Sequence, residues 1–165
     1  MTAAGFSTAL AAFTGQNYGA GNYERIRKGY RLTLGIAGSI GLFAGIIFYA
    51  FNKEIFSLFV EEPEAIAAGG NYLKILALSQ LFMVTESVTA GAFNGTGHTT
   101  PPALTSIFFT GARIPMAFFL TTFPALGLTG IWWSITISSV FKGTVLPIWY
   151  LWFQRHRLSS IQKQF

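Results

Sequence analysis

The sequence contains no cysteine and very little charge. The absence of cysteine excludes a disulfide framework and any cysteine-based metal site. The two histidines, His98 and His156, lie far apart along the chain, so they provide no metal-ligating cluster. Charged residues make up 10% of the chain and hydrophobic residues 52%, whereas a soluble domain carries about 25% charge. Together with a mean hydropathy of +0.48, this composition predicts a membrane protein.

Five long apolar segments fill most of the chain. A membrane-spanning helix requires about 20 apolar residues, and only helices and closed barrels satisfy their own backbone hydrogen bonds in lipid. The segment lengths therefore predict an all-α membrane protein in which residues 1–153 form one transmembrane bundle. The predicted helices are residues 2–18, 30–51, 70–93, 102–123 and 126–153, and a basic tail follows at 154–165.

The distribution of Lys and Arg predicts the orientation of these helices. Seven cations are Arg25, Arg27, Lys28 and Arg31 after the first segment and Arg155, Arg157 and Lys163 in the tail. Glu54, Glu61, Glu62 and Glu64 lie in a loop on the opposite side. The positive-inside rule then predicts a cytoplasmic C-terminus, and the expected location is that of a multi-pass protein in the plasma (inner) membrane. Topology thus explains the net charge of +5, and no nucleic-acid partner is predicted.

Aromatic residues are concentrated near the inner end of the fifth segment. Trp149, Tyr150, Trp152 and Phe153 occur within five positions. Tryptophan and tyrosine are enriched where membrane helices meet the aqueous interface. We therefore expect these four side chains to form part of an interfacial aromatic belt.

Three ionisable residues, Glu86, Arg113 and Lys142, lie inside the apolar segments. At 1.5 Å per helical residue, each falls about 18–20 Å from the nearest cytoplasmic turn or tail. All three are therefore predicted to share one layer near the middle of the bilayer. Charges at this depth cost about 2.5–3.5 kcal/mol each on insertion scales and mark functional sites. We predict that Glu86 responds to a cation or a proton, with Arg113 or Lys142 as its switchable counter-ion.

A purely structural arrangement of these charges is the alternative. Glu86 and Arg113 lie on consecutive antiparallel segments and could form a permanent salt bridge, which would leave Lys142 without an acidic partner. Neither arrangement provides a nucleophile and base for catalysis, so we predict no enzyme activity.

The glycine-rich stretches "GQNYGAGN" and "GAFNGTGHTTPP" follow no predicted strand, and therefore fail the context required of a phosphate-binding loop. They are interpreted as helix ends with glycine caps and small-residue packing.

Several motifs resemble one transporter family, in the order in which that family has them. The stretch "GFSTALAAFTGQNYGAGNYERIRKGYR" resembles the second helix of one lobe of the MATE (multidrug and toxic compound extrusion) transporters. The matching positions are Gly15, Gln16, Gly19, Ala20 and Asn22. The stretch "AGAFNGTGHTTPP" resembles the turn after the fourth helix of a lobe, and "ARIPMAFFL" and "GLTGIWWS" resemble the next two helices.

This resemblance implies that the chain forms helices two to six of one six-helix lobe. The basic tail favours the C-terminal lobe, so helix seven and the N-terminal lobe are expected to be missing from this sequence. The implied function is part of a secondary active antiporter that exports organic cations or drugs in exchange for Na⁺ or H⁺, without any other cofactor. Its implied partners are the lipid bilayer, the drug and the N-terminal lobe. The alternatives are a lipid-linked precursor flippase of the same superfamily and a non-transporting membrane fragment.

The resemblance also bears on individual site residues. Several branches of the family place a functional acid in the tenth helix, at the position that Met83 occupies here. Glu86 lies one turn closer to the cytoplasm on a similar face. Candidate residues for the substrate path are Gln16, Asn17, Gln80, Met83, Thr85 and Thr89. For Gln16 and Asn17 the alternative is that they only hold two helices together.

Overall fold

Every regular element in the described part of the chain is helical, which confirms the predicted all-α class. The computed structural model describes residues 2–124 and 126–158. The α-helices are α1 (Thr2–Gly19), α2 (Tyr23–Ala50), α3 (Asn52–Ser57), α4 (Pro63–Ala77), α5 (Gln80–Gly95), α6 (Thr100–Gly111), α7 (Arg113–Thr121) and α8 (Thr129–Phe153). A π-helical turn at Gln154–Leu158 follows α8, and most of the predicted basic tail lies outside the described residues.

The number of helices that qualify as membrane spans is smaller than the number of predicted segments. By length and apolar composition, α2 and the combined α6–α7 segment are each able to cross a membrane. The bent pair of α4 and α5 adds a third candidate if it is one span. Polar side chains interrupt α1 and α8, so the membrane crossing of these two helices remains a prediction.

Two of the predicted membrane helices are interrupted, and the break near Pro115 is the one that a proline inside a helix predicts. The helix expected at 70–93 is α4 followed by α5, which meet at an angle of 51°. At this bend the Ser79 hydroxyl donates to the Leu76 carbonyl at 2.9 Å, and such back-bonding of serine bends helices. The helix expected at 102–123 breaks after Gly111, because Pro115 lacks the N–H that would bond the Gly111 carbonyl. This second break places Arg113 at the first position of α7.

The acidic loop contains more helix than the sequence analysis expects. A short helix, α3, lies within it, and α4 begins at Pro63 rather than near residue 70. Proline is favoured at the first helical position because its missing N–H needs no partner there. Glu64 follows in the first turn, where the helix dipole favours a negative charge.

Helix α5 lies at the centre of the bundle, packed against α1, α2 and α8. Gly91 and Gly95, one turn apart, form its contact with α1. A Cβ atom at these positions would overlap the carbonyl groups of Ser7 and Ala11 respectively. Small residues permit such close backbone approach between membrane helices. The small-residue packing predicted for this glycine-rich stretch is therefore confirmed.

On its opposite side α5 approaches α8 just as closely, at Gly143. A Cβ atom on Gly143 would overlap the backbone carbonyl of Phe82 in α5. The Thr85 hydroxyl spans the same contact and donates to the Gly143 carbonyl at 3.1 Å. These two contacts therefore fix the register between α5 and α8 at the turn of α8 that contains Lys142, the residue before Gly143.

An aromatic core fills the end of the bundle where the basic residues lie. The ring of Tyr150 packs 4.6 Å from that of Tyr30 and 4.9 Å from that of Phe93, measured between ring centroids. Tyr150 is 0% exposed and Phe153 is 6% exposed. The belt prediction is therefore wrong for these two residues, because they turn inward onto α5 and α2. Trp152 points outward, with 56% of its surface exposed.

One hydrogen bond ties the two basic regions together. The Arg27 guanidinium donates through Nη2 to the Gln154 backbone carbonyl at 3.2 Å. Arg27 lies in the first turns of α2, and Gln154 begins the π-helical turn after α8. The two regions therefore lie at the same end of the bundle, as the alternating direction of the segments predicts.

The close contact between α5 and α8 predicts the effect of a single added methyl group. Gly143→Ala is expected to lower the free energy of unfolding by about 1–3 kcal/mol, because helix backbones must separate. Gly35→Ala is the matched control, since a Cβ atom on Gly35 would meet no other atom within 4 Å. It is expected to leave stability unchanged or slightly raised. Thermal unfolding of both variants in detergent checks this, and equal effects would contradict the proposed contact.

The buried phenol of Tyr30 makes a second stability prediction. Its hydroxyl lies 3.0 Å from the Thr89 hydroxyl oxygen in the buried core. Tyr30→Phe is expected to cost about 1 kcal/mol, the net value of one such hydrogen bond. Tyr49→Phe is the control because Tyr49 is 50% exposed. If the Tyr30→Phe variant has the same melting temperature as the control, the hydrogen bond between the two hydroxyls does not stabilise the bundle.

Candidate functional site

A largely buried ion pair connects α5 and α8. Lys142 Nζ of α8 lies 2.9 Å from Glu86 Oε1 of α5, and the two side chains are only 10% and 20% exposed. The pair forms where it does because Gly143, the next residue after Lys142, brings α8 against α5. Glu86 therefore has Lys142 as its counter-ion, one of the two partners that the sequence leaves open.

Arg113 is held by hydroxyl groups rather than by the carboxylate. Its Nε atom donates to Ser138 Oγ at 2.6 Å, and its Nη2 atom donates to Ser139 Oγ at 3.3 Å. Both serines are buried in α8. The alternative of a permanent Glu86–Arg113 bridge is therefore wrong for this structure. The break before α7 directs Arg113 towards Ser138 and Ser139 of α8.

The three charged side chains nevertheless meet at one level of the bundle. Ser138, Ser139 and Lys142 fall within about one turn of α8, so the attachment points of Arg113 and Glu86 are about 4.5–6 Å apart along its axis. This geometry agrees with the single layer that residue counting predicts. In the described ranges no three side chains of the metal-ligating types His, Cys, Asp and Glu come together. Any coupling role of these residues stays a prediction.

Two of the candidate path residues make contacts between helices. The Thr85 hydroxyl, which bonds the Gly143 carbonyl of α8, also approaches the Phe82 carbonyl at 2.9 Å. The Thr89 hydroxyl donates its hydrogen to the Thr85 carbonyl at 2.6 Å. Because that hydrogen is used there, Thr89 accepts the hydrogen bond from the Tyr30 hydroxyl. These hydroxyls lie on the same helix as Glu86, within one turn of it. They support the ion pair by fixing α5 against α2 and α8.

Gln80 and Met83 lie along an open groove instead. The groove has a volume of about 420 Å³ and runs between α1, α2 and α5. Ser87 extends the same lining one turn further along α5. Met83 is 39% exposed, so it is accessible to a ligand in this structure.

Gln16 and Asn17 lie at the basic end of α1, outside that groove. Gln16 is exposed. Asn17 is buried, and its Nδ2 atom donates to the Phe13 carbonyl of the same helix at 2.8 Å. The side chain of Asn17 thus bonds back to its own helix in this structure, and a role of either residue in the substrate path stays a prediction.

Sequence reasoning did not assign a role to Tyr30 or identify the serines as the partners of Arg113. The signal for Tyr30 was present, because a phenol in a buried helix requires a hydrogen-bond partner. The partner, Thr89, is distant in sequence and could be found only from the packing of α2 on α5. Ser138 and Ser139 were visible as polar residues of the fifth segment, but their direction depends on how α7 meets α8.

Comparison with known proteins identifies relatives of this chain. The sequence matches the MatE family over residues 1–119. It is 33% identical over 156 residues to the "Probable multidrug resistance protein NorM" of Thermotoga maritima, covering 92% of this chain and 33% of that protein. The chain thus spans about a third of the length of the curated relatives it matches.

Two solved structures share the arrangement of helices. One is described as the inward-facing conformation of a multidrug resistance MATE family transporter of the MOP superfamily. It has a TM-score of 0.81 and 24% identity, over 95% of this chain and 36% of that one. The other, described as the outward-facing conformation of such a transporter, has a TM-score of 0.80 and 25% identity, over 93% and 34%. With the match to the family over more than half of its length, the chain belongs to the MatE family of multidrug and toxin extrusion transporters.

Proposed function

We propose that this chain forms most of one lobe of a secondary active exporter that moves organic cations or drugs out of the cell in exchange for Na⁺ or H⁺. Its relatives are named as multidrug resistance proteins. The observation that carries the proposal is the buried Glu86–Lys142 pair at 2.9 Å. An ion pair inside apolar helices is costly and marks ion or proton pathways.

In the proposed mechanism, the coupling ion competes with Lys142 for Glu86. A proton or Na⁺ on the carboxylate weakens its attraction for the ammonium group of Lys142. Because this pair connects α5 to α8, its loss changes the relative stability of two packings of these helices. An ion shifts a conformational equilibrium only by its differential affinity for the two states. The lobe fold resembles inward- and outward-facing structures about equally, so we assign the larger motion to the contact between lobes.

The proposed substrate path runs along the groove that contains Gln80 and Met83. This groove begins at the first residues of α1 and is lined on one side by Ile40, Gly41 and Ala44 of α2. Its lining is largely apolar with a few polar groups, as expected of a drug-binding surface. The groove lies on the same helix, α5, as the ion pair. A ligand in it would therefore contact the helix whose position the coupling ion changes.

The orientation proposed for the transporter follows its charge distribution. The end with Arg27 and Gln154 is placed in the cytoplasm and the end with the acidic loop outside, in the plasma membrane of the cell. Lys74 near the acidic end lies 5.1 Å from the centre of the Tyr49 ring. This contact fits a cation that extends towards the membrane interface, where lysine and tyrosine are both favoured.

The flippase alternative requires a more extended cationic surface than this chain provides. Within residues 65–153 the cations are Lys74, Arg113 and Lys142. Lys74 is exposed near the acidic end, and Lys142 is neutralised by Glu86. Of these three cations, the guanidinium of Arg113 then remains to bind the pyrophosphate of a lipid-linked precursor. The drug exporter is therefore the better supported of the two functions.

The central test replaces Glu86 in the full-length transporter. Glu86→Gln keeps the shape of the side chain but removes its charge, so export driven by an imposed Na⁺ or H⁺ gradient is expected to fall to the level seen without a gradient. Glu61→Gln, an exposed acid in the outer loop, is the matched control. Dye export from proteoliposomes with each gradient checks the result and identifies the ion. Coupled export that survives in Glu86→Gln would remove Glu86 from the mechanism.

A double variant separates coupling from folding. Glu86→Gln alone leaves Lys142 buried without its partner and is expected to cost roughly 3 kcal/mol of stability. Glu86→Gln with Lys142→Gln restores a neutral contact, so the melting temperature is expected to recover while coupling does not. Recovery of coupled export in the double variant would show that the pair has a structural role only.

A further inference from the structure

A second groove lies on the other side of the contact between α2 and α5, apart from the proposed substrate path. Both grooves reach Gly41 of α2, but this one continues along Leu42 and Ile46, whereas the substrate path follows Ile40 and Ala44. Its other wall is the end of α4 and the start of α5. Its volume is about 450 Å³, which is within the range of ligand-binding cavities. We call it the α2–α4 groove.

The bend between α4 and α5 and a glycine of α2 form this groove. Ala77 and Leu78 line it where the two helices meet at 51°. Gly45 of α2 comes so close to the bend that a Cβ atom would lie 3.0 Å from the Ala77 carbonyl oxygen. Ile46 and Leu78 are 57% and 49% exposed. The groove therefore opens outward from α2, a helix long and apolar enough to cross a membrane.

The length of the groove matches one leaflet of a bilayer. Its lining on α2 runs from Gly41 to Ala50, a rise of about 14 Å at 1.5 Å per residue. One leaflet contributes half of a hydrocarbon core that is about 30 Å thick. Because α2 ends at Ala50 and the charged residues Lys53 and Glu54 follow, the groove runs from the membrane surface towards the midplane. A phospholipid acyl chain occupies this range of depth.

A cation lies at the surface end of the groove. Lys74 Nζ is 5.1 Å from the centre of the Tyr49 ring, and Tyr49 lines the groove. Lys74 is exposed. In the described part of the chain the lysines that form salt bridges are Lys28 and Lys142, so Lys74 has no acidic partner there. The contact with the ring holds the ammonium group at the mouth of the groove, where it attracts a negatively charged headgroup.

We propose that the α2–α4 groove and Lys74 form a binding site for an anionic phospholipid. One acyl chain lies in the groove, and the phosphate lies at the Lys74 ammonium group. The groove by itself accepts any acyl chain, so Lys74 provides the selectivity for negative charge. This lipid is a resident ligand of α2 and of the bend between α4 and α5, distinct from the exported substrate. The inference does not depend on the proposed export function.

The test uses photo-crosslinking lipids and the purified full-length transporter in phosphatidylcholine nanodiscs. Phosphatidylglycerol and phosphatidylcholine probes carry a diazirine on the same acyl chain and are added separately at the same low mole fraction. Mass spectrometry of the digested protein then locates and quantifies the labelled residues. Because the label is assigned to individual residues, lipid in the groove is distinguished from lipid bound at the basic end of the bundle.

Two pairs of variants separate the charge from the groove. Lys74→Gln removes the cation, and Lys53→Gln is its matched control because Lys53 is exposed at the same end but does not line the groove. Ile46→Trp fills the groove. Ile36→Trp is the control for that change, since Ile36 is 47% exposed on the same helix and lies outside the groove. Melting temperatures show whether each variant folds.

In the wild-type protein the phosphatidylglycerol probe is expected to label Leu78 and its neighbours in the groove about fivefold more than the phosphatidylcholine probe does. This is the effect of one lysine beside an anionic lipid. Lys74→Gln is expected to lower phosphatidylglycerol labelling to the phosphatidylcholine level, and Lys53→Gln to leave the ratio unchanged. Ile46→Trp is expected to reduce labelling by both probes, whereas Ile36→Trp has no effect.

Three outcomes would overturn the inference. Equal labelling by the two probes in the wild-type protein would show that the groove does not select anionic lipid. A fivefold ratio that survives in a folded Lys74→Gln variant would assign the selectivity to another group. Absence of label from the groove would show that another part of the full-length transporter covers it. None of these measurements involves transport, so failure of the proposed export function leaves them unchanged.

Discussion

The low polarity of the bilayer core is the constraint on which this structure depends. A charge in that environment must find a partner or face a polar cavity. Glu86 and Lys142 satisfy the requirement mutually across α5 and α8, and Arg113 does so less completely through two serines. The proposed function follows from the matched pair, because a carboxylate that is paired with an ammonium group can respond to a competing ion.

Helix α5 determines where these partners meet, because it packs against three neighbours through small or hydroxyl side chains. Gly91 and Gly95 bring α1 close, Gly143 of α8 closes the other side, and Thr89 binds Tyr30 of α2. Hydrogen bonds and close backbone contact replace the hydrophobic effect as the cause of association inside a membrane. The same contacts that stabilise the lobe therefore fix the position of Glu86.

Much of the architecture could be predicted from local properties of the sequence. Apolar segment length indicated membrane helices, charge placed the two basic regions at one end, and the motifs resembled a transporter lobe. The errors arose where a single residue changes the course of a helix. Ser79 interrupts a segment that remains apolar on both sides of the break, so hydropathy shows no boundary there, whereas Pro115 predicts the break in its own segment. Tyr150 and Phe153 were misplaced because composition does not show which way a ring points.

The sequence by itself predicted that the three ionisable residues share one level of the bundle, since position along a helix depends only on the number of residues and a rise of 1.5 Å for each. The sequence also showed that Glu86 can neutralise one of the two cations Arg113 and Lys142, so the other has no acidic partner among these three residues. Only the tertiary structure decided which cation that is. The choice depends on the rotation and close approach of neighbouring helices, and here a glycine beside Lys142 lets α8 meet α5 while the break before α7 turns Arg113 towards Ser138 and Ser139.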